Sequence, residues 1–369
     1  MSSAGLQRAF SRDHLLRGFT PSLRASFAQA TLSAESGRLR WGITDPRASI
    51  LYGRAVVGAA LLSANLKGEE RAILQFVGRD NSNSSSSSNT DGISRLYAEA
   101  VATGEVRASA SGYAIESGDK NTKKKDFRWD GRLHGTFSVT RILYGSATPV
   151  QGIVEATAGD VEGDLASYFL RSEQRRAHVK LEVNVNDTTG QILFAGGSLI
   201  EAIADSGGIT IRNDDSSSSS SSLEHVEKIL KKEPPSFIAA ANTSTSENIE
   251  SDDRSGGCSE FSYGRLFSAG ISLAHAASQV IPEFSHTRVI SGAAPGAARG
   301  AGVLERIPLD FFCRCTKTRF IEKLILTLSS SSLDDMIHES KGGVAAQLTC
   351  AFCNSTHNVT TEELNTART

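Results

Sequence analysis

The chain has 369 residues, 39% hydrophobic and 22% charged, with a formal net charge of −2. That is room for two or three domains and side chain enough for a core, while the near-neutral balance offers no footprint for nucleic acid or an anionic membrane. No apolar run reaches the roughly 18 residues that a membrane-spanning helix needs.

The opening residues, MSSAGLQRAFSR, lack the apolar stretch of a secretory signal. Arg8, Arg12, Arg17 and Arg24 stand against a single acid, Asp13, among several serines. That resembles a short organelle transit segment, with a mitochondrion or another organelle as destination. A flexible terminus over 1–12 on a cytoplasmic protein is the plainer expectation. In a reducing compartment, close cysteine pairs serve metal binding or redox chemistry rather than permanent disulfides.

Residues 13–204 read as one α+β core domain, rich in strands with helices packed among them. PRASILYGRAVVGAALLSANL (46–66) starts at a proline and suits a buried helix. RAILQFVG (71–78) is a strand, and ISRLYAEAVATGEVRASASGY (93–113) is two strands joined at Thr103-Gly104. The polar stretches NSNSSSSSNT (81–90) and GDKNTKKKDFRWDGR (118–132) cannot bury anything and are expected as loop insertions. GTFSVTRIL (135–143) and QGIVEATAG (151–159) are further strands. Asp160 then caps a helix with Val161, Leu165, Tyr168 and Phe169 along one stripe. HVKLEVNVN (178–186) alternates Val179, Leu181, Val183 and Val185 with polar residues, the pattern of a half-buried antiparallel strand. QILFAGG follows as another strand.

Composition shifts near 205. A helix is expected at LEHVEKILKK (223–232), after a serine run and before Pro234-Pro235. The rest of 205–305 is rich in Ser, Ala and Gly with little periodicity, and reads as a long, partly disordered linker. Its GAAPGAARGAG (292–302) has the glycines of a phosphate loop but lacks the preceding strand, the following helix and the Gly-Lys-[ST] ending. Cys258, in the same linker, reads as an incidental thiol.

Four of the five cysteines fall in the tail, residues 306–369. Cys313 and Cys315 form a C-x-C pair, expected on one face of an extended strand. RFIEKLILTL carries a helical stripe, and SSLDDMIHESKGG a second short helix with Ser332 as its cap. VAAQLTC is a strand, Cys350-Ala-Phe-Cys353 a turn, and TTEEL a last helical turn with Glu363 three residues after a threonine cap. Two arms of two cysteines can converge on one tetrahedral site, and four soft sulfur donors favour zinc. His338 and His357 are read as surface residues. A tail this small needs a metal or a disulfide to stay folded. Zinc holds the thiols as oxidisable thiolates, so an oxidant that turns them into disulfides removes every donor. The structural contribution of such a zinc, roughly 10–16 kcal/mol, is on the scale of a whole domain's stability of about 5–15 kcal/mol. The tail then has the properties of a switch.

The C-x-C … C-x-x-C tail, with CAFCN and then TTEEL, resembles the zinc domain of the redox-regulated holdase chaperones, the heat-shock protein 33 family. LYGRAVVGAALLSANLKGEERAILQFVG, ISRLYAEAVATGEVRASASGY, DLASYFLRSEQ and ILFAGGSLIEAI are similar in order and spacing to that family's core. The likeness covers about 13–204 and 306–364. It implies a dimeric, ATP-independent chaperone rather than an enzyme. It also implies one zinc per chain held by Cys313, Cys315, Cys350 and Cys353 in a largely inactive reduced form. Oxidation together with unfolding stress would form Cys313–Cys315 and Cys350–Cys353 disulfides, expel zinc, loosen tail and linker, and expose apolar surface to unfolded or oxidatively damaged clients. No client-contact residue carries over, because no short motif marks one. The Ser-rich insertions, the basic insertion and the long linker depart from the family pattern. A linker already disordered predicts activation by oxidant alone.

Two other readings remain. A zinc-ribbon module for interaction or nucleic-acid binding would want basic and aromatic residues around the cysteines, where Asp310, Glu322, Asp334, Asp335, Glu339, Glu362 and Glu363 offset the positive charge. A C-x-x-C thiol oxidoreductase would want the pair at a helix start in a βαβ setting, whereas Cys350 and Cys353 follow a strand.

Overall fold

A hairpin of β1 (His14–Phe19) and β2 (Leu23–Gln29) opens the described chain. The computed structural model describes residues 13–78, 93–111, 133–203, 218–230, 261–291, 303–340 and 342–368. The expected terminus 1–12, the insertions 81–90 and 118–132, Cys258 and the glycine-rich 292–302 lie outside these residues.

The architecture is α+β. One sheet joins β1 and β2 to β8 (Ala177–Val185), β9 (Ile192–Ala202), β10 (Arg288–Ser291) and β11 (Val303–Pro308), in the order β10-β11-β1-β2-β9-β8. The second holds β3 (Arg71–Gly78), β4 (Arg95–Val101), β5 (Glu105–Ser111), β6 (Gly135–Ile142), β7 (Val150–Ala156) and the two-residue β12 (Asp310–Phe311), in the order β12-β5-β4-β3-β6-β7. Strands β3 to β8 fall on the segments expected as strands. QILFAGG proves to be the first part of β9, which continues unbroken through SLIEA.

Helix α1 (Thr31–Trp41) and the long α2 (Pro46–Ser63) follow the hairpin, and α3 (Val161–Arg171) precedes β8. Asp45 caps α2, its side chain accepting from Arg47 N and Ala48 N, and Pro46 opens the first turn. Fourteen of the 18 residues of α2 are buried, which fits a helix enclosed by both sheets. Small residues permit this. A Cβ on Gly53 would lie 3.0 Å from Val183, and one on Gly58 3.1 Å from Leu74. Asp160 caps α3 through Gly163 N, and the stripe Val161, Leu165, Tyr168 and Phe169 is buried.

The outer face of the first sheet is covered by chain from the expected linker. The helix expected at 223–232 is α4 (Ser218–Leu230). Residues 261–291, which carry little periodicity, nevertheless fold as α5 (Tyr263–Ser268), α6 (Leu273–Val280), a 3-10 turn (Pro282–His286) and β10. Their apolar side chains form a second core cluster with Leu16, Leu23, Phe27 and Ile200 of the sheet. An unstructured linker was the premise for activation by oxidant alone, and these packed helices remove that premise.

The tail adds α7 (Lys317–Thr327), α8 (Ser330–His338), the hairpin of β13 (Val344–Thr349) and β14 (Thr356–Thr360), and α9 (Thr361–Arg368). Ser329 rather than Ser332 caps α8, its Oγ accepting from Ser332 N at 3.2 Å, so the helix starts earlier than expected. The capping box before α9 is as expected: Thr360 N donates to Glu363 Oε2 at 2.9 Å, and Glu363 N to Thr360 Oγ1 at 3.2 Å. Among the described residues, the apolar cluster of the tail's helices and hairpin has four buried members, Ile321, Leu333, Val359 and Leu364. That is too little apolar surface to carry a domain alone.

Candidate functional site

The sequence-predicted cysteines converge. Cys313 and Cys315 follow β12 in irregular chain rather than in the strand expected, because β12 ends at Phe311. Cys350 ends the β13 arm and Cys353 lies in the turn before β14. Asn354 makes that turn possible: at φ 55° it takes a left-handed conformation that asparagine tolerates, and its N–H donates to Cys350 O at 2.9 Å.

All four Sγ atoms lie within 4.8 Å of one another, and the four thiols are free. Cys313 Sγ is 3.6 Å from Cys350 Sγ, and Cys315 Sγ 3.3 Å from Cys353 Sγ. A tetrahedron of sulfurs at the zinc–sulfur distance of about 2.3 Å has edges of about 3.8 Å, so this donor set fits a zinc-sized soft cation. Cys350 and Cys353 are buried, and Cys313 and Cys315 half-buried. Among the described residues this is the one group of three or more metal-ligating side chains close enough to share an ion. His338 is exposed, and His357 packs its ring 5.2 Å from Phe320; neither joins the cluster.

The thiols are electrostatically unequal. Burial pushes Cys313 and Cys315 upward, and for both the contact with Cys350 adds to this. Burial acts the same way on Cys353, but hydrogen bonding with the Ser355 side chain and backbone and with Cys315 and Cys350 outweighs it and brings the thiol down to about 7. Cys353 is therefore the sulfur most ready to serve as a thiolate.

The cluster is fastened to the core. β12 pairs with β5 through Asp310 and Phe311, and Arg314 donates to both carboxylate oxygens of Glu105, at 2.7 and 2.9 Å. Trp41 Nε1 donates to Phe352 O at 3.1 Å, and Asn354 Nδ2 to Arg40 O at 2.9 Å. Residues of α1 thus hold the C-x-x-C turn and residues of β5 the C-x-C arm, and sequence reading identified none of them.

A second feature is the covered sheet face. Phe27, fully buried on β2, meets Phe284 edge-on with ring centroids 6.4 Å apart. Glu182 on β8 pins the start of α5: it accepts from Ser262 Oγ at 2.6 Å, Tyr263 N at 2.7 Å and Gly264 N at 3.0 Å. The sheet and its cover are linked to the cysteine arm by a short path, since β11 pairs with β1 and runs within two residues into β12.

A family model described as Hsp33 protein matches residues 6–250 and 274–360. The chain belongs to the Hsp33 family. Among Hsp33 relatives, the 33 kDa chaperonin of Bacillus subtilis is 28% identical over 359 residues, covering 96% of this chain and 98% of the relative. That of Syntrophotalea carbinolica is 26% identical over 355 residues, with the same coverage. The crystal structure of the 33 kDa chaperonin from Thermotoga maritima shares the fold, with a TM-score of 0.62, 21% identity, and coverage of 96% of this chain and 97% of that one. Among the described residues no helix is long and apolar enough to cross a membrane.

Proposed function

We propose that the protein is an ATP-independent holdase chaperone switched by oxidation, acting in the cytoplasm as a homodimer and catalysing no reaction. Cys313, Cys315, Cys350 and Cys353 hold one zinc per chain in the reduced form; the bound ion supplies a cross-link between the two cysteine arms. The observation that carries this reading is the placement of the clustered thiols. They lie on a tail with little core of its own, joined through β11 and β12 to an apolar sheet face that folded linker helices cover.

Oxidation of two thiolates to a disulfide passes two electrons to the oxidant, for example hypochlorous acid, and removes both sulfurs as donors. The family resemblance implies the pairs Cys313–Cys315 and Cys350–Cys353. The shortest sulfur contacts here run between the arms, yet the edges of a metal-sized tetrahedron are nearly equal, so contact length does not choose the partner. With both pairs closed, no metal cross-links the arms, and the small tail core, left with its contacts to the main core, melts under mild stress.

Melting of the tail loosens the cover, and mild unfolding stress lifts it. Leu16, Leu23, Phe27 and Ile200 then face solvent as one apolar patch able to bind unfolded chains. Because α4, α5 and α6 retain their own packing on the sheet, oxidant and mild unfolding stress act together. The test is aggregation of a thermolabile client, without ATP, in a matrix of oxidant and mild heat. Suppression by the doubly treated protein supports the reading; equal suppression by reduced, unheated protein contradicts it.

A further inference from the structure

Arg107 lies on β5, 206 positions before Cys313, and its guanidinium reaches the cysteine cluster. Nη1 donates to Cys313 Sγ at 3.9 Å. The other two nitrogens are held from behind: Nη2 and Nε donate to Glu99 Oε2 at 2.8 and 3.2 Å. Glu99 is 4% exposed and also receives Arg71 Nη1 and the Tyr97 hydroxyl, each at 3.1 Å, so its position is fixed from three sides. The guanidinium carbon stands 4.0 Å from the ring centroid of Phe352, the residue between Ala351 and Cys353, and the Tyr97 ring packs 5.1 Å from the same ring. One core side chain therefore touches both cysteine arms: the sulfur of the first, and the turn residue of the second.

We propose that Arg107 is a positioning residue of the metal centre, supplied by the core, that donates to the Cys313 thiolate and restrains zinc release until the tail undocks. This rests on the zinc reading given above. Four thiolates around a divalent ion carry a net charge of about −2, and a rigid guanidinium beside them offsets part of it. A hydrogen bond to sulfur withdraws electron density from the lone pair an oxidant must attack, and outer partners of this kind orient the ligands they touch. The Arg107 contact exists only while the tail is docked, so docking and metal retention strengthen each other reciprocally. The core then sets the oxidant threshold of the switch as well as presenting the client surface.

The experiment uses the intact, reduced chain and three variants. Arg107→Ala removes the donor, and Arg107→Lys keeps a charge but cannot bridge Glu99 and the sulfur. Glu105→Ala breaks the docking ion pair with Arg314 and touches no sulfur. Two readouts are taken: zinc transfer to a chromophoric chelator under a fixed dose of hypochlorous acid, and the sulfur-to-metal charge-transfer band of the Co(II)-loaded protein. Arg107→Ala should speed zinc transfer at least about ten-fold, the usual effect of losing an outer partner, and should shift the band. Arg107→Lys should recover part of the rate while the band stays shifted. Glu105→Ala should speed transfer less and leave the band in place. A band unmoved in both Arg107 variants overturns the proposal, as does a Glu105→Ala variant that reproduces both effects, since docking alone would then account for them. Should Arg107→Ala fail to fold, the band of Arg107→Lys decides by itself. A wild-type chain that binds neither zinc nor Co(II) refutes the metal reading instead, which is a separate result.

Discussion

Glu182 is the sharpest handle on the cover of the sheet. Substitution by Gln keeps one oxygen to accept from Ser262 and Gly264, but sets an amide NH2 against Tyr263 N–H, which now donates to Oε2 at 2.7 Å. One charge-assisted hydrogen bond is lost and two donors face each other. Such a bond contributes roughly 1.5–3 kcal/mol, so a cost of about 2 kcal/mol falls on the contact between α5 and β8. At about 1.4 kcal/mol per factor of ten, the opened population of 261–291 rises by about 30-fold. The assay is hydrogen exchange of the reduced, zinc-loaded protein, followed by mass spectrometry on peptides from that segment. Exchange there should accelerate by about that factor, peptides from β3 and β6 should stay unchanged, and holdase activity should appear with oxidant at a lower temperature than in the wild type. Unchanged exchange in 261–291 would refute the reasoning. So would equal acceleration throughout the core, because Glu182 would then be a general stabilising residue rather than a pin.

Stripping zinc from the reduced chain with a chelator should unfold 312–368 while the core keeps its strands, because the tail's own apolar cluster, among the described residues, has four buried members and the other two buried side chains there, Cys350 and Cys353, belong to the metal cluster; circular dichroism with limited proteolysis reads this directly. Disulfide mapping after oxidation should return Cys313–Cys315 and Cys350–Cys353, and a majority of cross-arm pairs would revise the switch. The pH dependence should carry the mark of Asp13, buried on β1's leading edge and accepting from Leu32 N at 3.1 Å and Ser33 N at 2.6 Å. Burial raises its carboxyl from 3.8 to about 6 against the pull of those amide bonds. Its contribution is therefore largest below pH 4 and is lost as pH rises through 6. Relative to Asp13→Asn, the wild type should lose about 3 kcal/mol between pH 4 and 7, measured by urea denaturation; a flat difference would contradict it.

How far the fold can be read from the sequence depends on which force shapes each element. β3 spans the residues its apolar run marked, and α3 starts at the residue after its Asp cap, because burial pattern and capping are local signals. The β1–β2 hairpin and α1 went unread. In α1 the leucines Leu32 and Leu39 are 55% and 61% exposed, while Ser33, Gly37 and Arg38 are buried, so no apolar stripe announces the helix. What holds that inner side is polar: Asp13, 20 positions before Ser33, caps the first turn, and Arg38 pairs with Glu35 within the helix at 2.7 Å. Helices α5 and α6 were hidden by their brevity and small residues, although the caps Ser262 and Ser272 stand at their starts. β14 is five residues long with one buried side chain, too short to show a period. The four sulfurs were legible because donor chemistry and spacing are written in the chain. Arg107 was not, since only the folded β5 carries it to Cys313.

In the proposed switch, loss of the metal, loss of the thiols and gain of client binding are one event. Zinc content, free thiols and suppression of client aggregation should be followed on a single sample through a titration with hypochlorous acid under mild heat. About one zinc per chain should be present at the start, released in step with the disappearance of the tail thiols and with the rise of holdase activity. Zinc that stays bound while activity rises, or that leaves with no gain in activity, would contradict the switch and reduce the cluster to a structural clasp.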